Sequence, residues 1–95
     1  MFEIKKGNNK FYFTDESNKQ IGVITYKPDN GNFVVEHTFV SPQYRSQGLA
    51  AKLVDAMVEY SREQNKKIIP VCSYVLSKFQ NNEAEYGDVW ERKKD

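Results

Sequence analysis

The chain has 95 residues, enough for one small domain with a radius of gyration of roughly 12 Å. Fourteen Lys and Arg meet thirteen Asp and Glu, for a net charge of +1, which excludes the basic surplus of a non-specific nucleic-acid binder. A single cysteine, Cys72, and a single histidine, His37, exclude an internal disulfide framework and a multi-Cys or His-rich metal centre, so no metal is expected.

Residues 1–41 read as an antiparallel meander of about four strands. Phe2-Glu3-Ile4 alternates and gives way to a turn at Gly7-Asn8-Asn9. Phe11-Tyr12-Phe13-Thr14 is β-prone, and Asp15-Glu16-Ser17-Asn18 breaks it. Ile21 to Tyr26 is the third strand, Pro28-Asp29-Asn30-Gly31 signals a hairpin, and Phe33 to Val40 returns. Plain alternation puts Phe33, Val35, His37 and Phe39 on one face and Val34, Glu36, Thr38 and Val40 on the other.

Residues 48–65 carry a helical apolar stripe, Leu49, Leu53, Ala56, Met57 and Tyr60, with Lys52, Asp55, Glu59 and Arg62 opposite and Asn65 as the stop. Residues 67–72 form a fifth strand. A short helix follows, with Ser73 as N-cap, Val75, Leu76 and Phe79 inward, and Asn81-Asn82 at its end. The charged tail 91–95 is expected to fray. The order β-β-β-β-α-β-α predicts one α/β (α+β) domain over residues 1–95. Its sheet is mixed and mostly antiparallel, its last two strands are parallel, and the long helix packs on it.

The segment Val40-Ser41-Pro42-Gln43-Tyr44-Arg45-Ser46-Gln47-Gly48-Leu49-Ala50 joins a strand to the long helix. The first N–H groups of a helix lack intrahelical partners, and the helix dipole adds positive potential. Small residues there, Gly48 and Ala50, let a pyrophosphate approach the backbone, and Arg45 can add a charge-assisted contact. Neither the dinucleotide fingerprint nor a Walker loop fits, because both need further glycines.

Strand, loop and helix together resemble the acetyl-CoA-binding core of the GNAT superfamily of N-acetyltransferases, whose loop reads Gln/Arg-x-x-Gly-x-Gly/Ala. The chain is most similar to the minimal YjdJ-like (GTLF3-like) branch. The words that carry the resemblance are His37-Thr38-x-Val40, Arg45-x-x-Gly48-x-Ala50, Pro70-x-Cys72-Ser73-Tyr74-Val75 and Glu85-Tyr86. The chain lacks room for the two helices after the first strand and the C-terminal hairpin of larger members, parts that help build the acceptor site.

The resemblance implies acetyl-CoA as acetyl donor and a primary amine, on a small molecule or a protein lysine, as acceptor. It implies a sheet that opens between the fourth and fifth strands, with the pantetheine arm pairing along Thr38, Phe39 and Val40. It places the pyrophosphate at Arg45, Ser46, Gln47, Gly48, Leu49 and Ala50, with Ser73 nearby. Pro70 reads either as a residue on the side of the fifth strand freed by that opening or as a plain edge residue.

Freeing a lysine amine of its proton at pH 7 costs roughly 4–5 kcal/mol, so a base is useful. Glu36 and His37 lie beside the expected thioester; alternation puts them on opposite faces unless a bulge intervenes. Histidine as a residue type suits the task better, and a core histidine is the other reading of His37. Cys72, before a helix N-terminus, reads as an acetyl carrier, a lining residue or a buried apolar group. Tyr74 and Tyr86 are candidates for protonating the leaving thiolate. The rival functions are a non-catalytic CoA-binding or protein-interaction module and an RNA-binding domain with aromatic platforms. With no apolar stretch near the roughly 20 residues of a membrane span and no signal-peptide run, a cytoplasmic protein is expected, monomeric or weakly dimeric, with no nucleic-acid or membrane partner.

Overall fold

The computed structural model describes residues 2–92. Five strands form one sheet in sequence order: β1 (Ile4–Gly7), β2 (Lys10–Thr14), β3 (Gln20–Asp29), β4 (Asn32–Val40) and β5 (Ile68–Pro70). The first four pair antiparallel, and β5 joins β4 in parallel after the crossover through α1 (Leu49–Gln64). Two shorter helices, α2 (Ser73–Asn81) and α3 (Glu83–Tyr86), complete the order. The β3–β4 hairpin turns at Asn30 and Gly31, both at positive φ (50° and 81°), as its tight two-residue turn requires.

The first strand lies later than its alternation suggests, at Ile4–Gly7 rather than Phe2–Ile4, because Lys5 and Lys6 pair with Tyr12 and Phe11. The fifth strand is shorter than residues 67–72, since β4 leaves it after Val35. Between β4 and α1 the chain winds as a 3-10 helix over Pro42–Gln47, where the sequence reads as a loop.

α1 buries Leu49, Leu53 and Met57 against the sheet, as the apolar stripe predicts. The stripe is wider than expected, because Val54, Val58 and Ser61 are buried too, while Ala56 and Tyr60 are half-buried. The Ser61 hydroxyl donates to the Met57 carbonyl at 3.0 Å, which removes the cost of burying it. α1 ends at Asn65 in the left-handed conformation (φ 56°), with the Lys66 N–H closing back on the Ser61 carbonyl at 2.9 Å.

α2 buries Val75 and Phe79, whereas Leu76 stays half-buried. Its N-cap is Cys72, not Ser73, because Cys72 is still extended (φ −66°, ψ 126°) and its carbonyl accepts from the Leu76 N–H. Phe79 stacks on Tyr86 of α3 at 5.0 Å. Tyr86 donates its hydroxyl proton to Asp55 of α1 at 3.0 Å, and Arg62 binds Asp88 through Nε and Nη2 at 2.9 and 3.0 Å. The face of α1 that reads as solvated therefore docks α3. All three helices share one side of the sheet, and among the described residues no helix covers the other. The chain end is also held: the Glu91 N–H donates to the Ile68 carbonyl, and the Arg92 guanidinium lies 4.0 Å over the Trp90 ring. The fraying expected there falls, for Lys93, Lys94 and Asp95, outside the described residues.

Candidate functional site

The feature that organises the site is a bulge in β4. Tyr26 pairs with Val35 and Thr25 with His37, so Glu36 is the extra residue. Before the bulge, Phe33 and Val35 face the core; after it, Thr38 and Val40 do, paired with Ile24 and Gly22. Simple alternation therefore fails in the middle of the strand. His37 and Phe39 leave the core face, and Phe39 is 43% exposed.

The bulge also moves Glu36 and His37 to the same side. His37 pairs with Thr25, and paired residues share a face. Lys27 lies on that face two residues along β3, and its Nζ is 3.3 Å from Glu36 Oε2. Both candidate bases are exposed on the helix-free side, so the reading of His37 as a core histidine does not hold.

Where β4 bends, β5 departs. The parallel ladder ends at Val35 and Pro70, and the Val35 carbonyl takes the N–H groups of Val71 and Cys72, both at 3.0 Å. Beyond that point β4 runs on to Val40 paired with β3 alone, with no strand on its β5 side. Antiparallel ladders alternate hydrogen-bonded and non-bonded pairs. The Ser41 N–H donates to the Ile21 carbonyl at 2.8 Å, so His37 and Phe39 spend their groups on β3. Thr38 and Val40 turn theirs into the gap. The Val40 carbonyl is taken by Arg45 Nε at 2.8 Å, which closes the far end of this free edge. Pro70 resolves as an edge residue. Ile68, with the same orientation, bonds outward to Val89 and Glu91, so the missing N–H of Pro70 faces away from β4.

Cys72 sits where the strands part, with Sγ donating to Thr38 Oγ1 at 3.5 Å. Partial burial opposes ionisation of the thiol. The Thr38 hydroxyl and the backbone N–H groups of Val75, Tyr74 and Thr38 outweigh it, and hold the thiol pKa below its ordinary value. Tyr74, in the first turn of α2, is 41% exposed. Among the described residues, Phe39, Val71 and Tyr74 are three of the four exposed large apolar side chains, and all lie on segments that border the gap. Tyr86 is not free to serve here. Burial first, and then Asp55, raise its pKa well above the ordinary tyrosine value, and its proton is engaged on α1.

At the α1 end, Gly48 has φ 72° and ψ 18°, and a Cβ placed on it would meet nothing within 4 Å. No side chain caps the helix, so its first N–H groups lie open. Arg45, Ser46, Gln47 and Gly48 are exposed around them, Ala50 is half-buried, and the Leu49 side chain is in the core, which leaves only its backbone for a ligand. Ser73 is exposed at the start of α2. A free strand edge suits the peptide-like amides of a pantetheine arm, and an uncapped helix N-terminus suits its pyrophosphate; the residues fit acetyl-CoA. Among the described residues no three His, Cys, Asp or Glu gather as metal ligands, and no helix is long and apolar enough to cross a membrane.

The sequence pattern of the GCN5-related N-acetyl-transferase family matches residues 10–89. The chain belongs to that family. It is an N-acetyltransferase. The solution structure of a GCN5-like protein from Staphylococcus aureus is 41% identical and matches with a TM-score of 0.75 over 97% of this chain and 90% of that one. Two larger acetyltransferases share the fold. Escherichia coli YhbS, solved with CoA, is 22% identical, with a TM-score of 0.64 over 73% of this chain and 42% of its own. An Elizabethkingia anophelis enzyme, solved with acetyl-CoA bound, is 14% identical, with a TM-score of 0.60 over 76% of this chain and 50% of its own. No curated protein matches the sequence.

Proposed function

We propose that this acetyltransferase holds acetyl-CoA in the gap between β4 and β5 and transfers the acetyl group directly to a primary amine. The observation that carries the reading is the free edge of Thr38 and Val40 opposite an uncapped α1 N-terminus. Thr38, Phe39 and Val40 would hold the pantetheine arm. Arg45, Ser46, Gln47, Gly48, Leu49 and Ala50 would hold the pyrophosphate, with Ser73 beside them. Bound acetyl-CoA supplies the activated acetyl carbon.

His37 acts as the base in this reading, since Glu36 is engaged with Lys27. Glu36 polarises the same mouth of the gap. Tyr74 hands a proton to the departing thiolate, and Cys72 lines the thioester pocket. A single domain over residues 1–95, a place in the minimal YjdJ-like branch, a cytoplasmic setting that keeps Cys72 reduced, and a monomeric or weakly dimeric state belong to the same proposal.

The lowered thiol pKa of Cys72 supports one second route. Its thiolate attacks the acetyl carbon, CoA leaves as thiolate, and the amine then displaces the Cys72 sulfur. Incubation with acetyl-CoA alone separates the routes. Direct transfer leaves Cys72 unmodified, and Cys72→Ala keeps substantial activity; the second route gives a hydroxylamine-labile adduct on Cys72. Acetyl-CoA binding without transfer to any amine would instead mark a CoA-binding module.

A further inference from the structure

We propose that the acceptor amine is a lysine of an extended, carboxylate-rich polypeptide that lies across the helix-free face of the sheet. The proposal rests on the acetyl-transfer reading and adds the class of its acceptor. Cross-strand register builds two rows on that face. One runs Lys5, Tyr12, Val23, Phe39; the next runs Lys10, Thr25, His37. No carboxylate stands on either row. Each aromatic on these rows carries a cation: Lys10 Nζ is 4.9 Å from the Tyr12 ring centroid, and Arg45 Cζ is 5.6 Å from that of Phe39. The neighbouring Glu36 is neutralised by Lys27. Lys5 shares a hollow at the far end of its row with Glu3, Asp15 and Glu16, whereas Lys10, on the row of His37, donates to the neutral amide of Gln20 at 3.1 Å and pairs with no carboxylate among the described residues.

The shape selects a long ligand. Small molecules bind in concave sites that enclose most of their surface, and among the described residues no helix covers this face. Four strands at about 4.8 Å spacing span roughly 14 Å, the length of four to five residues of extended chain. A lysine reaching His37, at the end of the second row, leaves its neighbours over Tyr12 and Phe39. Acidic neighbours meet Lys10 there, with Arg45 left to the pyrophosphate. Nucleic acid, the other anionic polymer, is disfavoured by the net charge of +1.

The test compares three acceptors at saturating acetyl-CoA: a lysine peptide with Asp/Glu flanks, the same peptide with Arg/Lys flanks, and spermidine. The acidic peptide is expected to give the highest kcat/KM, by about tenfold or more. Lys10→Glu should remove most of that preference through KM, with acetyl-CoA affinity unchanged. Preference for the basic peptide or spermidine overturns the proposal, as does single-stranded RNA that binds in a salt-sensitive way and competes with the acidic peptide. Flank preference is read on the unaltered protein, so a misfolded Lys10→Glu does not remove the test. Acetyl-CoA that binds with no acceptor modified overturns the transfer reading itself, which separates the two failures.

Discussion

Thr38 and Cys72 meet across the point where β4 and β5 part, with Oγ1 3.5 Å from Sγ. The contact lies just beyond the end of the parallel ladder at Val35 and Pro70, so it sets the width of the gap at its closed end.

In the thiolate the Thr38 hydroxyl turns to donate to sulfur and, with the backbone N–H groups of Val75, Tyr74 and Thr38, holds the thiol pKa below its ordinary value. Thiolate is the reactive form, so alkylation of Cys72 should reach half its maximal rate at a lower pH than the same thiol does in the denatured protein. Thr38→Val keeps the shape and removes the hydroxyl, so the midpoint should rise. An alkylation profile unchanged by Thr38→Val would show that the hydroxyl does not stabilise the thiolate.

Gly48 at φ 72° separates backbone strain from charge. Asn and Asp both tolerate the left-handed region and match in size. Gly48→Asn should cost modest stability, about 1 kcal/mol, and keep much of the acetyl-CoA affinity. Gly48→Asp puts a negative charge at the anion end of α1 and should weaken binding by a further tenfold or more. Equal affinities for the two variants, measured by calorimetry, would move the pyrophosphate elsewhere.

The sequence made the strand order, the parallel crossover, the α1 boundaries at Gly48 and Asn65 and the Asn30-Gly31 turn legible. Each depends on local chemistry: hydrophobic period, left-handed Gly and Asn, and a strand-helix-strand connection. The bulge at Glu36 was not legible, because it exists only in the register between β3 and β4. It reverses the faces of His37 and Thr38, and with them the geometry of the site. The docking of Tyr86 on Asp55 was hidden for a related reason. Asp55 occupies a helix position that reads as solvated until α3 folds back on it. The place of the gap followed from the resemblance; its free backbone groups needed the register.

The Arg62–Asp88 pair ties the segment after α3 to α1, with Arg62 also reaching Glu59 and the Glu85 carbonyl. Hydrogen bonding to Arg62 holds the Asp88 pKa below its ordinary value. A depressed carboxylate pKa contributes stability that is present above the unfolded value near 3.9 and lost as pH falls through the folded value. Arg62→Met should cost about 1–2 kcal/mol at pH 7, discounted for its partial exposure, or several degrees in Tm. Its Tm deficit should shrink as pH approaches 3. A deficit that does not change between pH 7 and pH 3 would show that packing, not charge, holds α3.

The two bases at the bulge separate by substitution. His37→Gln should lower kcat/KM by about 10²-fold or more, in line with loss of a general base. Glu36→Gln should cost less than about tenfold, because its carboxylate is engaged with Lys27. Steady-state kinetics at saturating acetyl-CoA decides the matter; the reverse order would assign the base to Glu36.

The central claim is that acetyl-CoA lies in the gap between β4 and β5. Amide chemical shifts of the ¹⁵N-labelled protein, followed through a titration with acetyl-CoA, test it most directly. The account predicts saturable shifts at Thr38, Phe39 and Val40, from Arg45 to Ala50, and at Cys72 and Ser73, with β1 and the Asn30-Gly31 turn unmoved. Saturating acetyl-CoA that leaves the amides from Arg45 to Ala50 unshifted would contradict it.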